Sequence, residues 1–191
     1  SKALAMPGVK AVLTGTDLPI PFGILPVSQD EHALCVEKVR FVGDPVAAVA
    51  AASEEEAFDA LDAIEVEYER LRAISGIEDA EATLEPRIHD YGDVGNTHKK
   101  VSLQFGNVEA GFRDAHAVRE DLFFYEGNTH LAMEQHSALA QFDGDGKLTV
   151  WSSTQTPHYL HRALAKVLAP LPASRIRVIA TPNGGGFGGK S

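Results

Sequence analysis

Cysteine is nearly absent, since Cys35 is the only one among 191 residues. One thiol cannot close an intramolecular disulfide, and it cannot alone supply the thiolates of a zinc site or an iron–sulfur cluster. The residues around it, Ala33, Leu34 and Val36, are apolar. We therefore interpret Cys35 as a small buried hydrophobic residue and expect a cytoplasmic protein.

Positive charge is also scarce, with 17 Lys and Arg against 27 Asp and Glu and a formal net charge of -10. Such a chain repels phosphate backbones, so nucleic-acid binding is disfavoured. No stretch approaches the roughly 20 apolar residues of a membrane span, and no signal peptide is evident. We expect no membrane partner. Because the sequence begins without Met and ends within a glycine loop, we expect an internal fragment, cut at both ends.

Residues 1–74 have the pattern of a small α/β domain, truncated at its N-terminus. Ser53 and Glu56 form a capping-box pattern that predicts a helix. Alternating or continuous apolar runs predict the strands. These predicted strands are residues 9–14, 39–43, 45–50 and 65–71.

Residues 75–96 show no clear periodicity and include Pro86, so we interpret them as a linker. Residues 97–191 then predict part of a second, α+β domain, truncated at its C-terminus. Asn107 is a candidate N-cap of a short helix, and Asp143-Gly144-Asp145-Gly146 predicts a hairpin turn. The other predicted elements are strands 100–105, 117–125, 137–142, 147–152 and 175–180, and a helix over 158–168.

A glycine loop follows the last predicted strand, with five glycines in the six positions 184–189. Without Cβ atoms the backbone can adopt positive φ, and its N–H groups can form a concave anion-binding nest. A flexible linker or bulge is the plainer alternative. The loop also matches G-x-G-x-x-G, but a dinucleotide-binding turn requires a following helix and an acidic residue about 20 positions later. The sequence ends before the positions at which that helix and acidic residue would occur.

Gln155 is the second candidate, at the junction between a predicted strand and a predicted helix. Its amide could hold an oxo or hydroxyl ligand by hydrogen bonds without adding charge. A helix-capping loop is the alternative. The segment His130 to His136, which includes Glu134, suggests either a zinc site or a hydrogen-bonded pocket wall. We favour the wall, because the H-E-x-x-H pattern is missing.

Taken in order, three stretches make the chain resemble the molybdenum hydroxylases, the family of xanthine dehydrogenase, aldehyde oxidase and carbon monoxide dehydrogenase large subunits. They are residues 39–49 with 66–69, residues 106–112 through 133–136, and residues 153–155 followed by 184–190. The resemblance spans nearly the whole chain. It implies a small hammerhead-like α/β domain followed by part of a molybdopterin-binding α+β domain.

The resemblance also implies roles for particular residues. Gln155 matches the family glutamine that hydrogen-bonds a ligand of molybdenum. Gly185, Gly186, Phe187 and Gly188 match the loop whose backbone lies against the molybdenum centre and its pterin. The family's catalytic glutamate would lie beyond Ser191, so no catalytic residue is assigned, and no side chain of this chain is expected to bind the metal directly.

Ser191 departs from the family pattern. Xanthine- and aldehyde-oxidising members commonly carry a substrate-contacting glutamate after Gly-Gly-Lys, whereas this chain has Ser191, which puts purine hydroxylation in doubt. The sequence as a whole is most similar to the alpha subunits of 4-hydroxybenzoyl-CoA reductases. That likeness implies reductive dehydroxylation of an aromatic CoA thioester, with Ser191 as a candidate substrate contact.

The implied cofactor is molybdenum with molybdopterin cytosine dinucleotide, held together with the rest of the large subunit. Iron–sulfur clusters and FAD would belong to partner subunits. We expect the 191 residues alone to be inactive. Two alternatives stay open: a hydroxylase of an aldehyde, an N-heterocycle or carbon monoxide, and a binding module without enzymatic activity.

Overall fold

Two small β-sheets, one in each half of the chain, organise the computed structural model, which describes residues 2–23 and 29–191. The strands are β1 (Val9–Thr14), β2 (Ala47–Ala51), β3 (Ala138–Phe142), β4 (Leu148–Ser152) and β5 (Ile176–Ala180). The helices are α1 (Glu54–Asp62), α2 (Ile77–Ala82), α3 (Val108–Asp114) and α4 (Pro157–Val167). Single 3-10 turns cover Ala3–Ala5, Gly15–Asp17 and Ala173–Arg175.

The first sheet pairs β1 with β2 in antiparallel orientation, with Val12 opposite Val49. Helix α1 packs on this two-stranded sheet and buries Ala60 completely. Ser53 caps the helix as predicted, because the N–H of Glu56 donates to Oγ of Ser53 at 3.3 Å; the reciprocal bond is made by the Ser53 hydroxyl, which donates to Oε2 of Glu56 at 3.0 Å, and not by the Ser53 N–H. The local sequence thus fixes where α1 begins.

The second sheet has the order β3-β4-β5. The predicted hairpin around residues 143–146 is confirmed, with β3 antiparallel to β4. Strand β5 lies parallel to β4 on its other side, and α4 connects the two. The core of this unit is Leu148, Val150 and Ile176, with apolar residues of α4 against it. Since α4 crosses between parallel strands, both strands end at the same edge of the sheet.

Four predicted strands, at residues 39–43, 65–71, 100–105 and 117–125, are wrong for this structure, because none of these segments is a strand. Their alternating apolar residues are as the prediction assumed, but a strand also needs a neighbour to complete its ladder of hydrogen bonds. No such neighbour occurs among the described residues. Apolar side chains there are consequently exposed, to 98% for Leu122.

Two local environments also differ from expectation. Cys35 is half-buried rather than fully buried, and partial burial together with the nearby carboxylate of Asp44 raises the pKa of its thiol to about 11. Residues 75–96 contain α2 and an ordered turn. In that turn the guanidinium of Arg87 donates to the carbonyl oxygens of Tyr91 and Gly95, at 2.8 and 3.0 Å.

Within residues 2–23 and 29–191, no helix is both long enough and apolar enough to cross a bilayer.

We predict that Ser53→Ala destabilises α1 by about 1 kcal/mol, because the N-cap hydroxyl is lost. This loss corresponds to amide exchange that is about fivefold faster across the helix. Hydrogen–deuterium exchange of the intact subunit measures this. Ser75→Ala is the matched control, because the side chain of Ser75 is exposed and caps no helix. Equal exchange in the two variants would contradict the capping role of Ser53.

Candidate functional site

Two loops leave the carboxyl ends of the parallel strands β4 and β5 and meet at one edge of the sheet. The first is residues 153–156 and the second is residues 181–191. The N–H of Gln155 donates to the carbonyl oxygen of Lys190 at 2.7 Å, and Nδ2 of Asn183 donates to the carbonyl oxygen of Thr154 at 3.3 Å. Ligands of open α/β sheets bind at such an edge, outside the carboxyl ends of the strands.

The side chain of Gln155 lies directly against the glycine loop. Its Oε1 accepts a hydrogen bond from the N–H of Gly188 at 3.3 Å. A Cβ on Gly186 would lie only 2.5 Å from Cδ of Gln155, so any larger residue at position 186 would displace the amide. Nε2 of Gln155 donates to none of the residues that the structure describes, which leaves an exposed donor beside the loop.

The loop itself turns through the left-handed region of backbone conformation. Gly185 and Gly188 have φ values of 98° and 94°, and Phe187, which is not a glycine, has a φ of 53° with its ring exposed. The N–H groups of Gly185, Gly186 and Phe187 donate to no acceptor within residues 2–23 and 29–191. Successive backbone N–H groups that lack protein partners are the kind of donor set that can bind an anion or an oxygen ligand.

The carboxylate of Glu134 contacts both ends of the glycine loop, at the N–H of Gly184 and at the ammonium group of Lys190. Oε2 of Glu134 accepts from the N–H of Gly184 at 2.5 Å, and Oε1 accepts from Nζ of Lys190 at 2.7 Å. The side chain of Lys190 is 1% exposed. Hydrogen bonding from Lys190 first, and from the Gly184 N–H second, lowers the pKa of Glu134 below its ordinary value. The carboxylate therefore stays ionised at neutral pH.

The segment from His130 to His136 lies beside the loop. A Cβ on Gly189 would come within 2.9 Å of Cγ of His130, so this ring packs against the loop backbone. In the described part of the chain, no three His, Cys, Asp or Glu side chains come together as a metal site would require. Glu134 binds the glycine loop instead.

Ser191 lies past the loop, where it lines a cavity of about 910 Å³ together with His136, Thr154, Gly189 and Lys190. Ser191 and Gln155 both lie near Lys190: Ser191 follows it in the chain, and the N–H of Gln155 donates to its carbonyl oxygen. The structure brings together Gln155, Gly185, Gly186, Phe187 and Gly188, as their matched positions in the family motif implied.

From the sequence, Glu134 was expected only as part of a hydrogen-bonded pocket wall, and Lys190 had no expected role. They are 56 positions apart, and no local pattern pairs residues at that distance. Two features could have pointed to them: Lys190 directly follows a glycine-rich segment, and Glu134 lies between apolar residues and a histidine.

Fold and site together describe an α+β protein with a backbone-lined candidate site at a sheet edge. Residues 88–191 match the model of the molybdopterin cofactor-binding domain, and residues 1–72 match that of the aldehyde oxidase and xanthine dehydrogenase a/b hammerhead domain. The chain belongs to the xanthine oxidase family of molybdopterin-binding large subunits. The predicted fold, a hammerhead-like domain followed by part of a molybdopterin-binding domain, is confirmed.

One relative is the nicotinate dehydrogenase large molybdopterin subunit of Eubacterium barkeri, 42% identical over 192 residues that cover 100% of this chain and 44% of the relative. Among solved structures, quinoline 2-oxidoreductase from Pseudomonas putida 86 is 33% identical with a TM-score of 0.79, over 98% of this chain and 25% of that one. The aldehyde oxidoreductase from Desulfovibrio gigas is 29% identical with a TM-score of 0.82, over 99% and 22%. This chain therefore spans less than half the length of these relatives.

The residues at the sheet edge fit a molybdopterin cofactor in their chemistry. Molybdenum oxo groups and pterin nitrogen and oxygen atoms are acceptors, and the edge offers three unpaired backbone N–H groups and the Nε2 donor of Gln155. The missing Cβ at Gly186 keeps the amide of Gln155 against the loop backbone.

We predict that Gly186→Ala destabilises the loop by about 1–3 kcal/mol, because the new methyl group overlaps the Gln155 amide. Chemical denaturation of the intact subunit measures the loss. Gly144→Ala is the matched control, since a Cβ at Gly144 meets nothing within 4 Å. A stable Gly186→Ala variant with Gln155 in its original position would show that the Gln155 amide does not restrict the residue at position 186.

Proposed function

We propose that this chain holds and orients the molybdenum cofactor of an oxidoreductase through Gln155 and the main chain of residues 185–188. The observation that carries the proposal is a set of donors without acceptors among the described residues: the N–H groups of Gly185, Gly186 and Phe187 beside Nε2 of Gln155. The side chains of Gln155 and Phe187 are exposed, so donors at this place are available to a ligand that supplies acceptors.

Each residue has a defined task in this proposal. The amide of Gln155 donates a hydrogen bond to an oxygen ligand of the metal, and its own oxygen stays bonded to the N–H of Gly188. The N–H groups of residues 185–187 orient the adjacent part of the cofactor. When bound, the cofactor supplies the two-electron redox chemistry, while the protein supplies orientation and electrostatics. No residue of the described chain is assigned as the general base.

The substrate class that has most support is an aromatic N-heterocycle. The relative that is 42% identical over the whole chain is named nicotinate dehydrogenase, and one structural neighbour is named quinoline 2-oxidoreductase. Both names refer to nitrogen heteroaromatics. The chain's function is then oxidation of such a ring within a larger subunit.

Reductive dehydroxylation of 4-hydroxybenzoyl-CoA is the second candidate. It is favoured by Ser191, which lines the 910 Å³ cavity where family members that oxidise purines and aldehydes commonly have a glutamate. A serine removes one negative charge from that wall and leaves more room for an extended thioester. None of the relatives described above is named for this activity, so it ranks below heterocycle oxidation.

The assembly follows from the same proposal. The cofactor carries the cytosine dinucleotide form of molybdopterin and is enclosed with the rest of the large subunit. As the family resemblance implies, iron–sulfur and flavin subunits accept or deliver the electrons; the single cysteine of this chain cannot ligate a cluster. The two domains are residues 1–74 and 97–191, joined by 75–96; the family matches end at residue 72 and begin at residue 88, which supports a boundary between these two residues.

We expect the native complex to oxidise nicotinate or a related pyridine with an artificial electron acceptor, and not to reduce 4-hydroxybenzoyl-CoA with a low-potential donor. Product analysis by liquid chromatography and mass spectrometry measures both reactions on one preparation. Reduction of the thioester without oxidation of any heterocycle would make reduction of 4-hydroxybenzoyl-CoA the better-supported function. A complex that carries no molybdenum would refute both candidates.

We predict that Gln155→Leu lowers the turnover of the loaded complex about 10–100-fold with little loss of molybdenum, because a ligand of the metal loses its hydrogen bond while the backbone contacts remain. Metal analysis and steady-state kinetics on the same sample separate the two effects. The matched control is Gln141→Leu, whose exposed side chain lies on β3 away from the loop. Equal turnover in wild type and Gln155→Leu would remove the proposed role.

A further inference from the structure

Lys190 contacts both components of the candidate site at once. Its main-chain oxygen accepts hydrogen bonds from the N–H of Gln155 at 2.7 Å and from Oγ1 of Thr154 at 3.3 Å. Its ammonium group binds Glu134 at 2.7 Å. One residue therefore connects the β4 loop, through its main chain, to the segment at 130–136, through its side chain.

The environment of that ammonium group is unusual for a lysine. Its side chain is 1% exposed, although lysine is almost never fully buried unless it is paired. Taking a charge out of water is costly, so the buried ammonium group depends on its pair with Glu134, whose side chain is 38% exposed. The pair joins two segments that are 56 positions apart in the sequence, so it also restricts how those segments lie against each other.

Glu134 imposes geometry at the other end of the loop. Its second oxygen accepts the N–H of Gly184, and a Cβ at Gly184 would lie 2.8 Å from Cβ of Glu134. The carboxylate thus fixes the first residue of the loop at Gly184 and the residue after its last glycine at Lys190. The unpaired N–H groups of residues 185–187 lie between these two fixed points.

We propose that Glu134 and Lys190 are positioning residues, an ion pair that fixes both ends of the glycine loop so that its free N–H groups and the Gln155 amide face one cofactor. Neither side chain touches the cofactor in this arrangement. The inference rests on the proposed cofactor-binding function. It assigns to Glu134 and Lys190 an effect on the electronic environment of the metal, which a purely stabilising ion pair would not have.

The test uses the molybdenum-loaded complex with Lys190→Met, which keeps the length of the side chain and removes its charge. We expect amide exchange across residues 181–191 to become about tenfold faster, since Glu134, the acceptor of the Gly184 N–H, loses its ion-pair partner. We also expect the Mo(V) electron paramagnetic resonance spectrum to change in the fraction that retains metal. Lys100→Met is the matched control, because Lys100 is exposed and has no ion-pair partner in the described residues.

Glu134→Gln is the second variant, and it covers the case in which Lys190→Met does not fold. Its amide oxygen can still accept from the Gly184 N–H, so we expect the same spectral change with a smaller increase in exchange. Unchanged spectra in both variants at wild-type metal content would overturn the inference, whether or not exchange becomes faster, and would leave the proposed function intact. A wild-type complex without molybdopterin would refute the proposed function itself.

Discussion

The parallel pairing of β4 with β5 determines where every residue of the candidate site lies. Because Ser152 and Ala180 are register partners, the loops that follow them start side by side. Helix α4 makes this possible by returning the chain to the end of the sheet where β4 begins, with its apolar face on the Leu148, Val150 and Ile176 core. The packing of a small core therefore sets the distance between an amide and a glycine loop that are 30 residues apart.

At that edge of the sheet, the most important property of the glycine loop is that its glycines have no side chains. Gly186 has no room for a Cβ, and the left-handed turn at Gly185 to Gly188 exposes main-chain donors. An acidic chain with a net charge of -10 can thus offer positive potential to a ligand without placing Lys or Arg in contact with it. The side chain of Lys190 is buried and paired with Glu134.

Structural features that depend only on neighbouring residues could be predicted from the sequence. The Ser53 and Asn107 N-caps and the hairpin at residues 143–146 each depend on neighbours within four positions, and each forms. The parallel pairing of β4 with β5 and the Glu134–Lys190 pair depend on distant residues, so no local pattern predicted them. The four predicted strands that do not form failed for a related reason, because alternation predicts a face to bury but does not supply the neighbouring strand. Gln155 and the glycine loop were chosen from their residue types at the ends of predicted strands, the family resemblance then implied their roles, and their proximity follows from the pairing.

The central claim is that the N–H groups of residues 185–187 and Nε2 of Gln155 face a single cofactor. The most direct measurement is a high-resolution structure of the intact complex with its molybdenum cofactor bound. We expect these donors to lie within about 3.5 Å of acceptor atoms of the cofactor, and we expect the Glu134–Lys190 pair to remain intact. A cofactor bound elsewhere, with these N–H groups covered by another part of the protein, would contradict it.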